Sequence, residues 1–232
     1  MDVAAEPIIW FIAGQGFSSV ILAMFNTVGW VAVAILAAVL PFMVASGMHK
    51  AMVPYAVTTM GNLGKEALYL PASLAHNIAE SGACFAVALR TKDKVLRSTA
   101  ISAGISAFFG ITEPALYGVT LQNKRVLGSV MIGSFVGGIF IGLVGIQAFV
   151  LVGPALASMS MFISDELPRN LMFAVIGAVI SFVVAFIAAF VLGKDKKVEE
   201  KTNEQEAFAE QIGAGETFKS PVKNGKYAML EE

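Results

Sequence analysis

The stretch from Phe108 to Val119 reads FFGITEPALYGV and sets a single acid, Glu113, inside an otherwise apolar run. At the centre of a bilayer a carboxylate costs roughly 2.5–3.5 kcal/mol on insertion scales, so it is tolerated where it faces a polar cavity, a partner or a ligand. Gly110 loosens the backbone ahead of it, and Pro114 removes an N–H and disfavours the α region for the residue before. A helix is therefore expected to break at Glu113. Pro114 suits the first turn of a new helix, with Thr112 or Glu113 at its cap. Non-helical backbone at membrane depth survives only where it is buried in protein or lines a water-filled cavity, so the break reads as a substrate site.

The chain around this stretch has the composition of a membrane protein. Of its residues 56% are hydrophobic and 14% charged, and the mean hydropathy is +0.74; soluble domains carry about 25% charged residues. The formal net charge is −1, with basic residues scattered through loops rather than gathered in a stripe, which excludes a nucleic-acid partner. The single cysteine, Cys84, cannot form a disulfide within the chain, and its apolar neighbours make it a small buried side chain. The opening Met1-Asp2-Val3 lacks the basic n-region of a signal peptide.

From Pro7 to Met48 no residue is charged, and about 42 positions suffice for two helices of about 20 residues. A turn is expected near Asn26-Thr27-Val28-Gly29, and Trp10 and Trp30 suit interfaces. In SGMHKAMVPY, His49 and Lys50 follow apolar sequence directly. Two readings of His49 stand at this point: a solvated helix end from which Lys50 snorkels to water, or a hydrogen-bonding group in the cavity. Residues 54–89 carry Pro54, Gly61, Gly64, Pro71 and Gly82 and read as broken helices. Within them, LPASLAHNIAESGACFAVAL embeds His76, Asn77, Glu80 and Ser81 in apolar flanks, as binding regions of transporters do. His76 and Glu80 fall one turn apart, where they either pair with each other or serve a ligand. Two ligands four residues apart with no convincing third do not make a metal site, and no cofactor is called for.

Further along, RTKDKVLR forms a charged loop whose basic residues Arg90, Lys92, Lys94 and Arg97 favour the cytoplasm, as do Lys124-Arg125. The segment from Ser98 to Asn123 is then expected to enter and return on one side, as a re-entrant hairpin with two short legs and its tip at Gly110 to Pro114. Leu127 to Val152 reads as a span whose glycines serve helix packing. A last span from Asn170 to Leu192 ends at Lys194, Lys196 and Lys197, which places the tail in the cytoplasm. The acidic, glutamine-rich stretch that follows reads as a linker, and Ser220-Pro221 and Asn224-Gly225 as first turns of a further domain. The fold class expected is an all-α polytopic membrane protein, a transport-domain half with broken helices and re-entrant hairpins.

The segments GITEPALYGV, SGMHKAMVPY and GACFAVALRTKD together resemble the membrane (C) component of bacterial phosphoenolpyruvate-dependent sugar phosphotransferase permeases, in the glucose superfamily and most closely its β-glucoside branch. The likeness covers about residues 28 to 195, and FKSPVKNGKY resembles the opening of the A domain fused behind that component. The resemblance implies three regions: an N-terminally incomplete sugar-transport domain over 1–195, a cytoplasmic linker over 196–215 and the start of an A domain over 216–232. It further implies a multi-pass protein of the bacterial inner membrane whose partners are the sugar, the phosphorylated B domain, the A domain, membrane lipid and, in the complete permease, a second copy. By the same resemblance Glu113 matches the substrate-binding glutamate and His49 the substrate-binding histidine; His76, Asn77, Glu80 and Thr112 are the further candidate substrate-binding residues, and no catalytic residue is assigned. The phosphoryl-carrying cysteine of a B domain and histidine of an A domain have no counterpart here, since His49 and His76 are the only histidines. Two rivals remain at this stage: an ion-coupled secondary sugar transporter with Glu113 as proton carrier, and a permease fragment that associates with membrane partners without transporting.

The hairpin expectation generates a test of sidedness. Cysteines placed by Lys94→Cys and Asn123→Cys, in a Cys84→Ala background, should be labelled by an impermeant thiol reagent from the same face of the membrane. Intact cells compared with inverted vesicles give the readout. Labelling from opposite faces would turn the hairpin into a span.

Overall fold

The computed structural model describes Gly16 and residues 19–193. The linker and A-domain expectations fall outside these residues, as does Trp10. Among the described residues the chain is all-helical apart from one isolated antiparallel bridge between Glu66 and Ala148. A helical stretch over residues 19–27 bends at Val28, where a turn was expected, and continues as α1, Gly29–Ala45, running on through Pro41. A 3₁₀ turn, Met48–Met52, leads into α2, Val53–Leu63. Then come α3, Tyr69–Arg90, and α4, Lys94–Phe108. A short return leg follows, one helical turn at Glu113–Ala115 widening into a π-turn at Leu116–Thr120. The bundle closes with α5, Lys124–Val144, and α6, Asn170–Leu192.

The expectation of broken helices across 54–89 needs correction. A break does occur at Gly64, which adopts φ 68° at the end of α2, but α3 is then continuous for 22 residues through both Pro71 and Gly82. Pro71 occupies the third position of the helix, where its missing N–H has no intrahelical acceptor to lose. Gly82 serves packing instead of breaking: a Cβ there would stand 2.5 Å from the Phe182 carbonyl oxygen of α6. Every residue from Leu70 to Cys84 is buried, so α3 is the centre of the bundle, walled by α1, α4, α5 and α6.

Two of the surrounding helices, α5 and α6, are long and apolar enough to cross a membrane. Their outward faces carry Ile132, Phe135 and Leu143, and Val179, Val183 and Ile187. The expected span from Leu127 to Val152 is shorter than the sequence suggested, because α5 stops at Gly145 in the left-handed region. Its glycines do serve packing, in two rows one turn apart. A Cβ on Gly133 or Gly137 would collide with Ala185 or Ser181 of α6, and one on Gly138 or Gly142 with Ala34 or Trp30 of α1. Backbones that approach this closely gain dispersion contacts and shed none to side-chain bulk.

The polar contacts sort the helix ends. The Arg90 guanidinium, at the end of α3, donates to the carbonyls of Phe190 and Val191 in the last turn of α6. Val126, in the first turn of α5, lies against Gly193 just beyond that turn. At the opposite end the segment 146–148 joins three elements. Ala148 exchanges both backbone hydrogen bonds with Glu66, at 2.7 and 2.8 Å. Asn170, the first residue of α6, donates to the Gln147 and Phe162 carbonyls at 2.7 Å and accepts from the Gln147 N–H at 3.1 Å. Thus α3 and α6 run parallel and α5 runs against them.

Gly137→Ala should lower the thermal midpoint in detergent, losing about 1–3 kcal/mol to overpacking against Ser181. Gly128→Ala, which meets nothing within 4 Å, should instead hold or gain up to about 1 kcal/mol of helix propensity. Equal effects of the two substitutions would contradict this packing.

Candidate functional site

The polar residues of α3 need a helix start that holds, and Glu66 provides it. Its Oε1 accepts from the N–H groups of Leu68 and Tyr69 at 2.6 and 2.7 Å, and its Oε2 from Leu70 at 2.7 Å. Three orphan donors of the first turn are thereby satisfied by one carboxylate, which is 1% exposed and also favoured by the positive end of the helix dipole. Sequence reasoning passed over this residue. The signal was present: an acid just after a glycine stop, followed by an apolar run with proline at its third position, marks a helix N-terminus.

From this fixed start α3 carries His76, Asn77, Glu80 and Ser81 into the bundle, all buried. His76 and Glu80 do not pair, contrary to one of the two sequence readings. Glu80 Oε1 accepts from Thr120 Oγ1 at 3.3 Å, and Thr120 sits at the end of the return leg. Among the described residues, Glu80 Oε2 and both ring nitrogens of His76 have no hydrogen-bond partner. Ser81 donates to the Gly104 carbonyl of α4 at 2.8 Å. Asn77 turns elsewhere, donating from Nδ2 to the Pro154 carbonyl at 2.7 Å.

The FFGITEP break is where the sequence placed it, but the two legs are unequal. The first leg, α4, has 15 residues and starts with the Asp93 carboxylate accepting from Val95 and Leu96 N–H; at 1.5 Å per residue it is about 22 Å long. The return leg is one turn plus a π-turn. Gly110 ends α4 at φ 81°, with the Ile111 N–H reaching back to the Ser106 carbonyl at 3.1 Å. The tip lies beside Asn77, since a Cβ on Gly110 would stand 3.8 Å from Asn77 Nδ2. Asn77 precedes Arg90 by 13 residues of continuous helix, which sets the tip about 20 Å from the basic end of the bundle. Thr112 takes the cap position with its side chain buried, though its hydroxyl makes no capping bond.

Glu113 opens the return leg and is exposed. One turn on, Tyr117 donates its hydroxyl to the Ala45 carbonyl, the last residue of α1, at 3.1 Å. Past that helix end Gly47 reverses the chain at φ 75°, and His49 Nδ1 lies 3.4 Å from the Met43 carbonyl. The structure therefore brings Tyr117 and the 3₁₀ turn bearing His49 to the end of α1. Asn77 sits at the tip, and Glu80 with Thr120 lies in the interior. Tyr117 is a residue that sequence reasoning quoted within the motif and did not single out.

Apolar helices wrapped around one polar, buried helix, two of them long and apolar enough to cross a membrane, fit an integral membrane domain. The chain belongs to the phosphotransferase system EIIC family, whose description "Phosphotransferase system, EIIC" matches residues 3–133. It is 35% identical over 221 residues to the "PTS system beta-glucoside-specific EIIBCA component" of Bacillus subtilis, covering 95% of this chain and 35% of that protein. To the "PTS system arbutin-, cellobiose-, and salicin-specific EIIBC component" of Escherichia coli it is 34% identical over 171 residues, 72% of this chain and 35% of the relative. A "PTS system sucrose-specific EIIBC component" of Pasteurella multocida is 30% identical over 168 residues, with the same two shares, 72% and 35%. The chain thus spans about a third of the length of these curated relatives. No solved structure matches.

Because Glu66 holds three N–H groups and Glu113 holds none, their removal should differ. Glu66→Ala is expected to cost about 1.5–3 kcal/mol of stability, read as a fall in the thermal midpoint. Glu113→Ala should leave that midpoint within about 0.5 kcal/mol, as surface substitutions do. A Glu66 variant as stable as the parent would refute the capping role.

Proposed function

We propose that this chain is the sugar-binding and translocating part of a phosphotransferase permease that couples uptake of a β-glucoside-type sugar to its phosphorylation. The observation that carries this reading is the approach of the Glu113 leg, through Tyr117, to the end of α1, just ahead of the 3₁₀ turn that bears His49. An exposed carboxylate at mid-depth can accept from two sugar hydroxyls, and charge-assisted hydrogen bonds of this kind are roughly twice as strong as neutral ones. His49 offers a donor and an acceptor from the facing helix end. Thr112, next to Glu113 in the chain, and His76, buried in α3, complete the proposed ligands, and Glu80 supports the leg from inside through Thr120.

Residues 98–123 form the re-entrant hairpin of this domain. The end of α3, the start of α5 and the end of α6 meet at one end of the bundle, which carries Arg90 and Lys124-Arg125, and Lys194, Lys196 and Lys197 follow α6 in the sequence. The positive-inside rule then places that end, and the C-terminus, in the cytoplasm of a multi-pass protein. The sugar is phosphorylated by the B domain of the same system, fed by an A domain that starts within residues 216–232 behind the linker at 196–215. The match extending over 95% of the chain to a protein named as EIIBCA supports that arrangement. Membrane lipid and, in the complete permease, a second copy of the domain are its other partners.

Glu113→Gln keeps the shape of the side chain and removes its charge, so affinity for salicin should fall by roughly 1–3 kcal/mol while the fold persists. Glu80→Gln should do less, since Glu80 meets Thr120 inside the bundle. Unchanged binding in the Glu113 variant removes it from the site. In vesicles carrying the whole system, uptake should yield phosphorylated sugar and require phosphoenolpyruvate. Accumulation of free sugar under a proton gradient alone would refute group translocation.

A further inference from the structure

The sequence placed Asn77 among the sugar ligands, yet its amide is already engaged. Nδ2 donates to the Pro154 carbonyl at 2.7 Å, and the side chain is 7% exposed. Pro154 belongs to the segment 153–158, which lies across the hairpin tip. The Leu156 N–H donates to the Phe108 carbonyl at 2.9 Å, and a Cβ on Gly110 would stand 3.2 Å from both the Pro154 oxygen and the Ala155 Cβ. Within the segment, Ser158 Oγ donates to the Gly153 carbonyl at 2.6 Å and accepts from the Ala155 N–H at 2.9 Å. The segment is a strap over the tip, closed on itself by Ser158 and fastened to the central helix by one side-chain amide. Glu113 follows Gly110 by three residues, so whatever fixes the tip fixes the point from which the carboxylate projects.

We propose that Asn77 is a positioning residue that acts through the 153–158 strap to set the direction of Glu113 and does not itself touch the sugar. The inference rests on the reading of Glu113 as the sugar-binding carboxylate. A group that bonds a sugar hydroxyl acts at α3 alone, so loosening the far end of the strap would leave it untouched. A fastening behaves otherwise: weakening it at either end should have the same result, and only while Glu113 is there to be aimed.

The test measures salicin binding in membranes that carry the chain with the other parts of its permease. Asn77→Ala and Ser158→Ala should each weaken binding, by roughly tenfold if about one hydrogen bond's worth of tip alignment is lost. The double variant should be no weaker than Asn77→Ala, and neither substitution should weaken binding further in a Glu113→Gln background. Ser158 lies in a connecting segment, so its variant keeps the test open should Asn77→Ala fail to fold. In the second arm, backbone amide exchange at Leu156 should quicken in both variants. Wild-type affinity in Ser158→Ala, alongside a loss in Glu113→Gln, overturns the strap and leaves the Glu113 reading standing. Full affinity in Glu113→Gln overturns that reading, and this inference with it.

Discussion

Hydrocarbon offers no hydrogen bonds, and α3 carries an imidazole, an amide, a carboxylate and a hydroxyl within six consecutive positions, His76 to Ser81. That helix has to be surrounded by protein, and the rest of the bundle follows from the need. Glycine rows let α5 come close enough to α1 and α6 to close the wall, and Gly82 lets α6 lie against α3 with backbone touching backbone. The aromatic rings of Phe85, Phe108 and Phe182 fill the junction of α3, α4 and α6, with Phe108 and Phe182 stacked at 5.5 Å. Among the helices around α3, α5 and α6 are the long apolar ones, with their hydrophobic side chains facing outward. The usual inside-out relation of a soluble core is reversed without any change in the packing physics.

Three acids show how differently one residue type is used here. Glu66 is spent on structure, holding three backbone donors at the head of α3. Glu80 is interior, tied to the return leg by Thr120. Glu113 is exposed, at the first position of the return leg. Nothing in their side chains distinguishes them; what does is whether backbone N–H groups, a hydroxyl or open space lies within reach.

The legibility of the chain followed the range of the forces involved. The helix over Asn170–Leu192 could be read to its end residues, because a charge-free run between charged flanks is a local signal. The break at Gly110 to Pro114 was equally plain, since glycine and proline act on their own backbone. Pro71 and Gly82 misled for the complementary reason. Their effect depends on where the helix starts and on what packs opposite, and both are set by residues far away, Glu66 with Ala148 and Phe182. The end of α5 was missed likewise, since residues 146–148 are apolar enough to continue a helix and are held out of one by Glu66 and Asn170. For the candidate site, Glu113 and His49 stood out as polar groups in apolar runs, whereas Tyr117 and the commitment of Asn77 to Pro154 depend on long-range contacts.

The return leg holds one more feature whose effect is geometric. In its π-turn the Leu121 N–H bonds to the Leu116 carbonyl, five residues back, so this turn takes in an extra residue. Side chains after the bulge are rotated out of phase with those before it. Glu113 and Tyr117 can therefore address one side while Thr120 faces the buried Glu80 on another, all within eight residues. In a regular helix positions 113, 117 and 120, spaced i, i+4 and i+7, would share one face. The widened turn lets a segment too short to cross the bilayer look in two directions, one toward the open surface and one toward the core.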